Sequence, residues 1–173
     1  KIAPLRWFAN FYTSIFRGTP LVLQLMMVYY ALPQLLDIQL EPITAAILAF
    51  GLNSGAYISE IIRAGINAVD KGQVEAAKAL GIPYVKMMKD IILPQAIKNI
   101  LPSLMNEFIT LNKESAIVTV VGALDIMRRS YIVGGDKYTY FEPLLVAGAI
   151  YYVMTLVLTF LGSMLEKRMR RSD

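Results

Sequence analysis

Apolar runs of about twenty residues, long enough to cross a bilayer as helix, alternate with short polar connections along the chain. The pattern predicts four such helices, over residues 11–32, 43–69, 99–122 and 143–165. Residues 1–10 read as a connector and residues 33–42 as a short loop. Residues 123–142, with mixed charge and Gly134-Gly135, suit a connection along the membrane surface. Within the first run, Gly18 and Pro20 predict a kink, because Pro20 cannot donate to the Phe16 carbonyl. Gln24 is the one strongly polar residue in the middle of that run. Gly18, Pro20 and Gln24 thus mark either a packing kink or a flexing point.

The remaining stretch, residues 70–96, is the sizeable soluble-looking part of the chain. Five of the ten residues from Gly72 to Gly81 are Ala or Gly, which predicts a helix of little girth, suited to a groove on another protein. Gly81 is placed to stop that helix in the left-handed conformation, and Pro83 to start a second one. Glu75 is expected in the first turn, where its charge complements the helix dipole.

Two of the apolar runs are more polar than lipid tolerates. In the third, Asn99, Ser103, Asn106, Thr110 and Lys113 recur at spacings of four, three, four and three, a wedge of about 80° on one helical face. Glu114 lies just beside it. In the second, Asn53, Tyr57, Glu60, Ala64 and Asn67 follow the same rule. A charge near the bilayer centre costs at least about 2.5–3.5 kcal/mol, so Glu60, Lys113 and Glu114 must face one another, another helix, or water. Interhelical bonding and a wet pathway both satisfy that demand. Glu60 with Arg63 reads as a pair near one membrane surface. Lys113 and Glu114 are adjacent, so their side chains diverge, and opposite charges held apart suit the two charges of a zwitterion.

Composition narrows the function. With 56% hydrophobic and 17% charged among 173 residues, the chain is too apolar for an ordinary soluble domain. It has no Cys and no His, which removes disulfides, thiolate metal sites and the commonest general base. No metal site or catalytic residue is expected; Ser115 and Lys113, two residues apart, make a poor dyad. The net charge of +4 sits at the ends of apolar runs, which argues against a nucleic-acid surface. Arg63, Lys71, Lys78, Lys86, Lys89 and Lys98 flank or fill the 70–96 stretch, and Lys167, Arg168, Arg170 and Arg171 crowd the tail. Residues 33–42 carry no Lys or Arg. The positive-inside rule therefore places the 70–96 stretch and both ends in the cytoplasm, with Arg128 and Arg129 as outer exceptions. No Gly-rich phosphate loop is present, so any ATP hydrolysis must come from a separate subunit.

Three separate words resemble one family. Glu75-Ala76-Ala77 with Gly81 six residues on, then Leu93-Pro94-Gln95-Ala96, resembles the cytoplasmic signature loop of permease subunits in ATP-binding-cassette (ABC) importers. Phe16-Arg17-Gly18-Thr19-Pro20 and the stretch from Ala56 to Gly65 are similar to its polar amino-acid branch, and the likeness runs over residues 1–166. The resemblance implies an all-α membrane protein, a multi-span bundle of the type I importer permease kind. Four spans would lie in this fragment, with one more usual ahead of Lys1. It implies that Glu75, Ala76, Ala77 and Gly81 couple to a nucleotide-binding subunit that holds ATP and Mg, while this chain holds no cofactor. It also implies a second permease copy or homologue, an extracytoplasmic amino-acid-binding protein, and a location in the cell membrane. In that family the substrate passes between two permeases, so the candidate pathway residues are Asn53, Ser54, Tyr57, Glu60, Asn106, Thr110, Lys113, Glu114 and Ser115. This chain reads Lys113-Glu114-Ser115-Ala116 where relatives often have Asp and a second Ser. The competing reading is an ion-coupled carrier or channel using Glu60, Lys113 and Glu114 as a relay, which predicts internal repeats that the chain lacks and leaves residues 70–96 without a role.

Overall fold

The structure, a computed structural model, describes residues 3–170, and within them the chain is helix and turn with no strand. Arg171, one of the tail charges, lies outside the described residues, as does Lys1. In chain order the helices are α1 (Ala3–Gly18), α2 (Leu21–Met26), α3 (Leu32–Leu36), α4 (Pro42–Asn67), α5 (Lys71–Ala79), α6 (Tyr84–Met87), α7 (Leu93–Glu114), α8 (Ile126–Lys137) and α9 (Phe141–Arg170). A π turn at Met27–Ala31 joins α2 to α3, another at Met88–Ile92 joins α6 to α7, and a 3₁₀ stretch, Ser115–Val121, follows α7. Each π turn ends two residues before a proline, Pro33 and Pro94. A proline has no N–H for the carbonyl four residues back, and the wider turn absorbs the misfit.

Helices α4 and α9 are long and apolar enough to cross a membrane, and α1 with the rod from Leu21 to Leu36 makes a third candidate if that bent pair is one span. The expected kinked helix over residues 11–32 is in fact two helices meeting at 105°. The expected connector is helical from Ala3 onward. The expected 99–122 span begins earlier, at Leu93, and its α-helix stops at Glu114. Its polar and charged positions keep α7 out of the apolar class.

The break between α1 and α2 follows from one carbonyl. Phe16 would bond the N–H of residue 20, but Pro20 has none. The amide nitrogens of Gln24 and Asn53 donate to the Phe16 carbonyl instead, each at 2.9 Å. Gln24 also donates to the Thr19 carbonyl and hydroxyl, at 3.1 and 2.8 Å, and Asn53 donates to the Gln24 side-chain oxygen at 3.0 Å. Both amides are buried. An unpaired buried polar group costs about 1–3 kcal/mol, so this knot holds the bend rigidly.

Two apolar clusters flank that polar layer. Leu25, Ala45, Ala46, Ala49, Val118, Val121 and Ala123 join α2, α4 and the 3₁₀ stretch. Val69, Ala77, Met87, Ile92, Ala96 and Ile100 hold α5 and α6 against the ends of α4 and α7. Helix crossings are close where glycine removes a side chain. A Cβ on Gly65 would overlap Ile100 of α7, and one on Gly162 of α9 would lie 3.0 Å from Met105 Cε. The Tyr12 hydroxyl of α1 donates to the Leu52 carbonyl of α4 at 2.5 Å.

Candidate functional site

A cleft of about 310 Å³ opens beside the knot, lined by Thr19, Pro20 and Leu21 of the break, Asn53 and Tyr57 of α4, and Glu107, Thr110 and Glu114 of α7. Four expected pathway residues meet here: Asn53, Tyr57, Thr110 and Glu114. Glu107 joins them and was not foreseen. No Lys or Arg lines the cleft, and among the described residues neither carboxylate has a side-chain hydrogen bond or an ion pair.

The face of α7 that lines the clefts is therefore turned from the one the spacing predicts. Residues 99, 103, 107, 110 and 114 line clefts, a stripe rotated by about 40° from the expected one at 100° per residue. Asn106 falls off its edge and lies in a crevice of about 140 Å³ against Thr159, Ser163 and Glu166 of α9. Lys113 is exposed, outside both this cleft and the next. Ser115 leaves α7 altogether: it opens the 3₁₀ stretch and donates to the Asn112 carbonyl at 2.8 Å. Ser54 is buried, its hydroxyl without a partner among the described residues, and it lines neither cleft. Glu107 was legible in principle, since it stands four residues beyond Ser103 and seven before Glu114. Adjacent polar pairs left two rotations of α7 open, and its packing between α4 and α9 selects one.

A second cleft, of about 410 Å³, continues along the same two helices. It is lined by Arg17, Tyr57, Glu60, Ile61, Ala64, Gly65, Ala68, Asn99 and Ser103. Glu60 pairs with Arg63, as the spacing implied, but it also holds Arg17 of α1 at 3.2 Å. The Arg17 guanidinium lies over the Tyr57 ring, 5.5 Å from its centre. Tyr57 lines both clefts.

Beyond the second cleft stands the hairpin of α5 and α6. The Asp70 carboxylate caps α5 by accepting from the Gly72 N–H at 2.6 Å. That cap starts the helix at Lys71, so Glu75 sits past the first turn, where the dipole effect has faded. At the far end Gly81 takes φ 67°, its N–H donates to the Lys78 carbonyl and the Ile82 N–H to the Ala77 carbonyl, each at 3.0 Å. This is a Schellman stop, and Pro83 then caps α6. Glu75, Ala76 and Gly81 are exposed. Ala77 is not: it is 2% exposed and packs into its own chain's inner cluster. The helix register decides this, since it turns Ala77 into the cluster of Val69, Met87 and Ile92, against which Val74 and Ile82 also pack. Instead Leu80, Tyr84 and Val85 stand 77%, 69% and 75% exposed at the tip of the hairpin, an apolar patch the sequence reading missed.

Known proteins share this fold. Residues 3–171 match the family model described as the binding-protein-dependent transport system inner membrane component. The chain belongs to that family. It is thus the membrane permease component of a transporter, and its helical architecture is of the type I ABC permease kind. It is 63% identical to the arginine transport system permease protein ArtQ of Bacillus subtilis (strain 168), over 98% of this chain and 78% of that one. A solved amino acid ABC transporter, crystallised with histidines, superimposes with a TM-score of 0.93 at 48% identity, over 97% of this chain and 78% of that one.

Proposed function

We propose that this permease serves an ATP-driven importer of polar amino acids, and that the cleft of Glu107 and Glu114, the outer one because it lies farther from the hairpin, prefers cargo with a cationic side chain. The observation that carries the reading is the pair Glu107 and Glu114, two carboxylates in one cleft with no cation among the described residues that line it. A carboxylate held inside a membrane protein without a partner is a functional group by default. A guanidinium or ammonium would supply the missing charge, while Asn53, Tyr57 and Thr110 offer hydrogen bonds to the rest of an amino acid. The arginine named for one relative carries such a guanidinium.

Four crossings follow if the bent first segment and the polar α7 are both spans, with α7's wet face turned to the path. The Lys and Arg pattern then puts the hairpin and the C-terminus in the cytoplasm. The exposed Glu75, Ala76, Gly81, Leu80, Tyr84 and Val85 supply a surface for a separate nucleotide-binding subunit, which holds ATP and Mg. A second permease, copy or homologue, completes the path, and an extracytoplasmic binding protein delivers cargo.

The test is uptake by proteoliposomes containing the assembled transporter with its binding protein. ATP-dependent arginine uptake that falls with Glu107→Gln and Glu114→Gln, more steeply than glutamine uptake, is the expected result. Equal loss for both cargoes, or none for either, would contradict the assigned role of the carboxylates.

A further inference from the structure

The two clefts lie in file. Along α4 the lining residues run Asn53, Tyr57, Glu60, Ala64, Ala68, and along α7 they run Glu114, Thr110, Glu107, Ser103, Asn99. From Asn53 to Ala68 this groove is about 22 Å long at 1.5 Å per residue. Tyr57 stands where one cleft gives way to the other. At that point the chain has placed a guanidinium of its own: Arg17 lies over the Tyr57 ring and 3.2 Å from a Glu60 carboxylate oxygen. An aromatic face beside a carboxylate is also what recognises the side chain of a free cationic amino acid.

Resting on the cationic reading of the outer cleft, we propose that Tyr57 and Glu60 form a second, inner station for the cargo's cationic side chain, occupied in this structure by Arg17. The cargo displaces Arg17 on its way inward, one cation for another. Two features make the exchange feasible. The Arg17 side chain is 43% exposed and that of Glu60 23%, so water screens the pair and loosens it. Glu60 also keeps Arg63 as a partner on its own helix, so it is never left bare during the exchange. A neutral side chain has nothing with which to displace Arg17, which makes Arg17 a determinant of selectivity as well as a placeholder.

Equilibrium binding of labelled L-arginine to the purified permease–ATPase complex tests this. The wild-type complex is expected to show one class of site per permease. Arg17→Ala should add a second class, lost again in Arg17→Ala with Glu60→Gln, and L-glutamine should show no such gain. If wild-type binding persists and Arg17→Ala adds nothing, the inner station is wrong and the outer-cleft reading stands. If the wild type binds no arginine at all, both fall. Should Arg17→Ala fail to assemble, Arg17→Gln, which keeps a long polar side chain without the charge, should add the same second class of arginine site, and no added class in that variant would overturn the proposal.

Discussion

Two groups of polar side chains sit next to each other inside the helical bundle, and they are built on opposite terms. In the knot, Thr19, Gln24 and Asn53 close around the Phe16 carbonyl, and each amide bond donor has an acceptor within 3.1 Å. In the cleft beside it, Glu107 and Glu114 share a wall with no matching cation. The knot replaces the hydrogen bond that Pro20 cannot make; the cleft leaves charge for something else to answer. Asn53 belongs to both, since its amide nitrogen is engaged in the knot while it also lines the cleft. Polarity within an apolar segment is thus of two kinds, and completeness of bonding tells them apart better than the kind of residue does.

The contrast can be broken from the knot first. Gln24→Leu should remove the bonds to Phe16 and Thr19 and cost about 1–3 kcal/mol of stability, read as a lower Tm of the detergent-solubilised complex. Its arginine-to-glutamine preference should be unchanged; a shifted preference at full Tm would mean the knot is part of the recognition site. The cleft should respond in the reverse sense. Glu107→Gln is expected to leave the Tm unaltered or higher, because a half-buried unmatched charge is removed, while arginine uptake falls about tenfold, equivalent to about 1.4 kcal/mol. A Tm drop with intact selectivity would make Glu107 structural.

Smaller effects sharpen the comparison away from the path. Asp70→Ala removes the cap of α5 and should cost about 1 kcal/mol locally, seen as faster hydrogen exchange over residues 71–79 with unchanged cargo preference. Lys113→Gln changes the charged residue that the sequence pattern favoured but the clefts exclude. Its expected effect is within about 0.5 kcal/mol in stability and negligible in selectivity, and a marked loss of arginine uptake would restore the unrotated face of α7.

Much of the fold is legible in the pattern, and the reasons differ from place to place. The limits of α4 follow from an apolar run with Pro42 at its start. Gly81 could be assigned because only a residue without Cβ adopts φ 67° cheaply, and Pro20 because its lost N–H is a covalent fact. The angle at Pro20 was not legible. A 105° turn rather than a kink depends on Gln24 and Asn53 reaching one carbonyl, and Asn53 is 37 residues away from Phe16. Glu107 was missed because Asn106 and Glu107, like Lys113 and Glu114, offer either rotation of α7. Arg17 was missed as a site residue because its partners, Tyr57 and Glu60, are distant in the chain.

By itself, the order of residues determined that the chain is a helical membrane protein, where its backbone must break, and to which family it belongs. These depend on local chemistry: side-chain period, missing donors, and left-handed glycine. Only the tertiary structure decided which face of α7 lines the clefts, that Ala77 packs inward, and that a guanidinium already sits on Tyr57. Those outcomes are set by which helices press on which, and close crossings such as Gly65 against Ile100 and Gly162 against Met105 have no signature within a single helix.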